Sequence, residues 1–164
     1  MNLRSRPRIG VMGPSKCSAR ILDLAREVGM HIARRQAILI CGGMGGVMEA
    51  AAAGAKEAGG ITIGILPGTS ASAANPYIDI PIVTDMGNAR NVINVLTSQA
   101  IIAVHGAYGT LSEIALALKC GIPVVGLETW KLINPEGAAP LEIFIAYTPE
   151  DAVDRALQLI RHHH

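Results

Sequence analysis

Aromatic side chains are scarce in this chain: Phe 1, Trp 1 and Tyr 3 make up 3% of 164 residues. A core cannot then be assembled around large rings. It must come from Ala, Ile, Val and Leu, which dominate the hydrophobic 50% and suit close packing of helices on a sheet. Cysteine is equally sparse. Cys17, Cys41 and Cys120 are scattered, odd in number and without C-x-x-C spacing, which argues against a disulfide framework or a zinc site and for reduced thiols. An excess of one charge is also missing. A formal net charge of +1 argues against a nucleic-acid partner held by a broad basic surface, and Arg4, Arg6 and Arg8 read as a solvated terminus. No apolar run is long enough to span a bilayer, because glycines, prolines and polar residues interrupt each one. With no apolar stretch of a secretory signal at the start, a cytoplasmic protein without a membrane partner is expected. His162, His163 and His164 read as a purification-tag remnant, leaving residues 1–161 as a single domain.

What is present is an alternation of short apolar runs with helical periodicity, the pattern of a mainly parallel sheet covered on both faces. This predicts an α/β, Rossmann-like, doubly wound fold. Strands are expected at 8–12, 37–41, 61–66, 78–83, 100–104 and 122–127, the last clear one. Helices are expected over 18–35, from Gly46 to about Ala58, over 90–98, from Thr110 to about Lys119, and after Thr148-Pro149-Glu150-Asp151. That tetrad is a helix start, with Thr as cap, Pro at the first position and acids in the first turn. The small, polar stretch 69–76 reads as a loop, a candidate cover for a site, and Trp130 with 135–140 as a surface loop.

Two strand-to-helix turns are rich in glycine: Gly42, Gly43, Gly45 and Gly46 after the second strand, and Gly106, Gly109 and Thr110 after the fifth. In an open parallel sheet ligands bind at the carboxyl ends of strands, where a helix N-terminus offers free N–H groups and partial positive charge to a phosphate. Gly13-Pro14-Ser15 after the first strand supplies a third wall. Neither turn matches G-x-G-x-x-G or G-x-x-x-x-G-K-[ST], which removes the dinucleotide and P-loop readings.

Gly42-Gly43-x-Gly45-x-x-Met48 and Gly106-x-x-Gly109-Thr110-x-x-Glu113 resemble the paired motifs of the Lonely Guy family and its relatives, over nearly the whole chain. Those relatives include molybdenum-cofactor carrier proteins and proteins long labelled as possible lysine decarboxylases. The resemblance implies a Rossmann-like homodimer that binds nucleotides or phosphorylated ribosyl groups. It also implies, for some members, hydrolysis of nucleoside 5′-monophosphates to base and ribose 5-phosphate. It assigns Glu113 and Arg90 to catalysis, with Arg90 in Met86-Gly87-Asn88-Ala89-Arg90-Asn91. A carboxylate can stabilise an oxocarbenium-like state and orient water, and an Arg can hold phosphate or polarise the departing base. An acid in the first turn of a helix is also favoured by the dipole alone, so Glu113 has a structural explanation beside the functional one.

The chain departs from the hydrolase pattern at three points. Asn91 stands where Lys is usual, His105-Gly106-Ala107 replaces Pro-Gly-Gly, and the Arg lies one residue further from Met86. These departures resemble the carrier-type branch, for which binding without catalysis is implied. Both readings stay open. Tyr108 is a candidate to stack on a base, His105 a candidate acid with a structural role favoured, and Ser15 and Thr69 candidate phosphate contacts. Met44 and Met48 read as packing residues. The four lysines, Lys16, Lys56, Lys119 and Lys131, sit in no pyridoxal-phosphate motif, so lysine decarboxylation is rejected and no cofactor is expected.

Overall fold

The computed structural model describes residues 2–135 and 143–162; most of the expected 135–140 loop and the last two residues lie outside them. In chain order the elements are β1 (Arg8–Met12), α1 (Ala19–Arg34), β2 (Ile38–Cys41), α2 (Val47–Glu57), β3 (Ile61–Leu66) and β4 (Ile80–Val83). There follow α3 (Asn91–Thr97), β5 (Ala100–Val104), α4 (Tyr108–Lys119), β6 (Val124–Leu127), β7 (Ile143–Ala146) and α5 (Pro149–His162). The seven strands form one all-parallel sheet in the order β4-β3-β2-β1-β5-β6-β7. This is the doubly wound, Rossmann-like arrangement. β1 is followed by β2 on one side and pairs with β5 on the other, so the winding reverses there and leaves a crevice at the strands' carboxyl ends.

The alternation within each strand explains the two covered faces. Ile9 and Val11 of β1, Leu39 of β2, Ile102 and Val104 of β5 and Val125 and Leu127 of β6 pack under α1, α2 and α5. Met12, Ile101, Ala103 and Val124 face the other way, against Val95 of α3 and Ile114 and Ala117 of α4. Each fully buried Ile or Leu of this kind stabilises the fold by about 1.5–3 kcal/mol relative to exposure. The C-terminal helix is capped as its sequence implies, with the Thr148 hydroxyl accepting from the Asp151 N–H at 3.1 Å.

Four elements differ from the sequence expectation by two residues or more, among them β6, which starts at Val124 rather than 122. β7 is an added strand at the sheet edge: Ile143–Ala146 is an apolar run, but only four residues long and half exposed. β4 starts at Ile80, because Ile78 closes a turn onto Asn75 and the Asp79 carboxylate takes the Thr62 N–H and the Lys56 ammonium. α4 begins at Tyr108, two residues before Thr110, with Ala107 as its cap.

Candidate functional site

The crevice is a cleft of about 370 Å³. Its walls come from four junctions: Gly13, Pro14 and Ser15 after β1; Gly42, Met44 and Met48 between β2 and α2; Asn88, Arg90 and Asn91 before α3; and Gly109, Thr110 and Glu113 on α4. Of the site residues read from sequence, Gly13, Ser15, Gly42, Arg90, Gly109, Thr110 and Glu113 are thereby brought onto one surface.

The two glycine-rich turns do different work. In the β2–α2 turn the missing side chains make room for the protein itself. A Cβ on Gly42 would meet Met48 Sδ at 2.6 Å and Arg90 Nη2 at 2.7 Å, and one on Gly43 would meet Leu66 Cδ2 at 2.7 Å. Gly46 has φ +66°, a Cβ there would strike the Pro14 carbonyl oxygen, and the Val47 N–H already donates to that carbonyl at 3.0 Å. Gly45 alone in this turn faces open space, with Glu49 Oε2 the nearest atom at 3.9 Å. The β5–α4 turn is arranged otherwise. Ala107 offers no side-chain cap, and nothing lies within 4 Å of where a Gly109 Cβ would stand. Thr110 is 2% exposed, yet its Oγ1 has no hydrogen-bond partner among the described residues. A helix N-terminus carries unpaired N–H groups and about half a positive charge. Presented uncapped to a cleft, it is a seat for an anion.

Arg90 and Glu113 face each other across the cleft floor, Nη1 to Oε1 at 3.9 Å, with side chains only 12% and 8% exposed. Arg90 ends the short 3-10 turn Gly87–Arg90 that leads into α3, and its Nη1 also donates to Asn91 Oδ1. Burial pushes the Glu113 carboxyl from 4.5 up to about 7, against the Asn94 hydrogen bond and the Arg90 charge that lower it. Burial also lowers the Arg90 pKa, opposed by Glu113 and Cys41. Cys41 beneath them is fully buried and pushed up to about 11, so it stays a neutral thiol. A carboxyl poised near neutrality beside a guanidinium can hold or release a proton at physiological pH. Because α4 starts at Tyr108, Glu113 lies in its second turn, where the helix dipole no longer accounts for an acid.

Sequence reasoning passed over Asn94. It is fully buried on α3 and its Nδ2 donates to Glu113 Oε1 at 3.1 Å, while its own carbonyl accepts from Ser98 Oγ at 2.8 Å. The available signal was an amide set in sequence between the apolar Ile93 and Val95. Met44 and Met48 also belong to the cleft wall rather than to packing alone.

The remaining candidates lie off the wall. Met86 is 45% exposed before the 3-10 turn. Tyr108 is 83% exposed and stacks on Trp130 at a centroid distance of 6.4 Å, and a Cβ on Gly106 would strike the same indole. His105, at φ +55°, shapes the turn: its N–H donates to the Leu127 carbonyl at 3.0 Å and its carbonyl accepts from the Thr129 hydroxyl. Thr69 is exposed outside the cleft. The 69–76 loop is tied to the β2–α2 turn by Asn75, whose N–H and Nδ2 donate to the Gly43 and Met44 carbonyls, each at 2.9 Å. Among the described residues no helix is long and apolar enough to cross a membrane.

A parallel doubly wound sheet, with its cleft at the winding reversal and an uncapped helix start facing in, defines a Rossmann-like α/β protein. More specifically, the chain belongs to the SLOG cluster4 family, matched by residues 6–153. It is 40% identical to the molybdenum cofactor binding protein of the phototrophic bacterium Rippkaea orientalis, at TM-score 0.84 over 94% of this chain and 98% of that one. The molybdenum cofactor carrier protein of Chlamydomonas reinhardtii is 43% identical, at TM-score 0.83 over 95% and 99% of the two chains. A cytokinin riboside 5′-monophosphate phosphoribohydrolase of Mycobacterium tuberculosis is 36% identical over 126 residues, 71% of this chain and 67% of that one. The resemblance to both branches, carrier and Lonely Guy, therefore holds.

Proposed function

We propose that this chain is a carrier-like binding protein that holds a phosphorylated pterin-type or nucleotide-like ligand in the cleft at the winding reversal, with molybdenum cofactor as its cargo. The observation that carries the reading is the start of α4: uncapped, open at Gly109, and supplied with a buried Thr110 hydroxyl that has no partner among the described residues. Such a group is costly to bury unless something else satisfies it. A phosphate there would take the free N–H groups and the hydroxyl, while Arg90 offers further hydrogen-bond donors from the opposite wall. Likeness to two molybdenum cofactor proteins over almost their full length supports the choice of cargo.

The test is a calorimetric titration with molybdopterin and, separately, with GMP and ribose 5-phosphate. Saturable binding of a phosphorylated ligand, weakened in Thr110→Val and Arg90→Ala, is expected. Failure of all three ligands to bind would overturn the reading.

A second reading, hydrolysis of the N-glycosidic bond of nucleoside 5′-monophosphates, is favoured by one observation: the Glu113 carboxyl sits near neutrality beside Arg90. Free base released from AMP and lost in Glu113→Gln would establish it. No release from a panel of monophosphates leaves the carrier.

We further propose that the chain forms a homodimer in the cytoplasm. Ile80 and Ile82 of β4 pair in register with Ile63 and Ile65 and share their sheet face, yet remain 48% and 39% exposed, with Leu96 of α3 at 61%. An uncovered apolar face of this kind calls for a partner surface. A monomeric mass by light scattering would remove the dimer.

A further inference from the structure

We infer that Met44 and Met48 form the wall that selects the ring end of the ligand, and that the ring is a flat, polarisable heterocycle lying against their thioethers. The inference rests on the binding reading above and adds to it an orientation and a specificity element. The cleft is lined by no aromatic side chain. Its bulky apolar groups are instead sulfur-bearing: Met12 is 1% exposed and belongs to the core, which leaves the half-buried Met44 and Met48 as the accessible ones. Met44 is part of no core cluster among the described residues, so packing does not explain a large apolar side chain at the tip of that turn.

The surroundings hold both methionines in place. The Met44 carbonyl is fixed by Asn75 Nδ2 at 2.9 Å, across the base of the 69–76 loop. Met48 Sδ and Arg90 Nη2 both lean over Gly42 into the space a Cβ would fill. A thioether and a planar guanidinium thus converge on one spot. Sulfur contacts aromatic rings favourably and methionine adapts to irregular shapes, while guanidinium stacks on π-systems. With phosphate at the start of α4, the opposite wall beside α2 is where the rest of the ligand would lie. A bare sugar phosphate would make no use of that wall.

The test compares wild type with Met44→Leu, Met48→Leu and the double variant, by calorimetric titration with GMP, molybdopterin and ribose 5-phosphate. Leucine keeps the volume and removes the sulfur, and thermal melts verify the fold. Met44→Leu lies outside the core and serves even if Met48→Leu folds poorly. Expected is a roughly 2- to 12-fold loss of affinity for GMP and molybdopterin per substitution, from the strength of sulfur–ring contacts, with ribose 5-phosphate unchanged. Unchanged affinity for the heterocyclic ligands would overturn the inference. So would a parallel loss for ribose 5-phosphate, or wild type binding ribose 5-phosphate alone. Wild type binding none of the three would instead sink the binding reading, and this inference with it.

Discussion

Neutralising Glu113 probes the electrostatics of the cleft independently of any ligand. The residue is 6% exposed, and burial raises its pKa from 4.5 to about 7. Between those values the folded protein keeps a proton that the unfolded chain has released, so the native state binds more protons and stability falls as pH rises. Below 4.5 both states are protonated and the penalty vanishes; above about 7 it is complete. At about 1.4 kcal/mol per pKa unit, the full penalty is about 3 kcal/mol. Of this, about 2 kcal/mol develops between about pH 5.5 and about pH 8. Glu113→Gln carries no charge to desolvate and keeps an amide oxygen for Asn94 Nδ2. Urea unfolding of both proteins across this range is the assay, because other titrating groups cancel in the difference. Wild-type stability minus variant stability should fall by about 2 kcal/mol, equivalent to roughly 4–8 °C in Tm for a chain of this size. Parallel pH profiles would refute the reasoning, since they would mean that Glu113 ionises in the folded state as readily as in the unfolded one. Asn94→Leu supplies a second check. Removing the hydrogen bond that opposes the rise should move the wild-type transition to higher pH, and a move to lower pH would count against Asn94 as the group that favours the carboxylate.

Thr110→Val should leave unfolding free energy unchanged or raise it by about 1 kcal/mol, because the hydroxyl it removes is buried without a protein partner. Anion affinity should fall several-fold in calorimetry; a clear loss of stability would show that the hydroxyl supports the fold instead. Gly42→Ala places a methyl within 2.7 Å of Met48 Sδ and Arg90 Nη2, displacing both at a cost of about 1–3 kcal/mol in denaturant unfolding. Ligand affinity should drop with it, and affinity retained at wild-type level would remove Arg90 and Met48 from the binding surface.

Much of the architecture was legible in the sequence, because its signals are local. Apolar runs such as Ala100–Val104 end in glycine-containing turns, and helix stripes such as Val153, Ala156 and Ile160 repeat at helical spacing, so the doubly wound, parallel class follows. β7 is harder to read because Ile143–Ala146, though wholly apolar, is only four residues long, too short for periodicity to tell strand from helix. The glycine-containing stretch through Gly109 points to a helix starting at Thr110, whereas it starts at Tyr108 with no side-chain cap from Ala107. That displacement bears on the site, since it moves Glu113 out of the first turn and leaves its position without a dipole explanation.

The cleft was legible only as a set of residues, because its workings depend on what stands over each missing Cβ. Gly42 and Gly109 look alike in sequence, each following a strand and preceding a helix. Over Gly42 lie a guanidinium and a thioether from this chain; over Gly109 lies nothing. One glycine makes room for the protein and the other faces open space, a distinction that requires Arg90 to be folded back from 48 residues downstream. Asn94 is hidden for the same reason: its partner Glu113 is on the next helix, and only the packing of α3 on α4 joins them. Of the buried polar atoms left unpaired among the described residues, those of Arg90 and Thr110 line this cleft. Thr110 Oγ1 and the open start of α4 are the observations that support the proposed anion seat, and the accessible thioethers of Met44 and Met48 support the proposed ring wall.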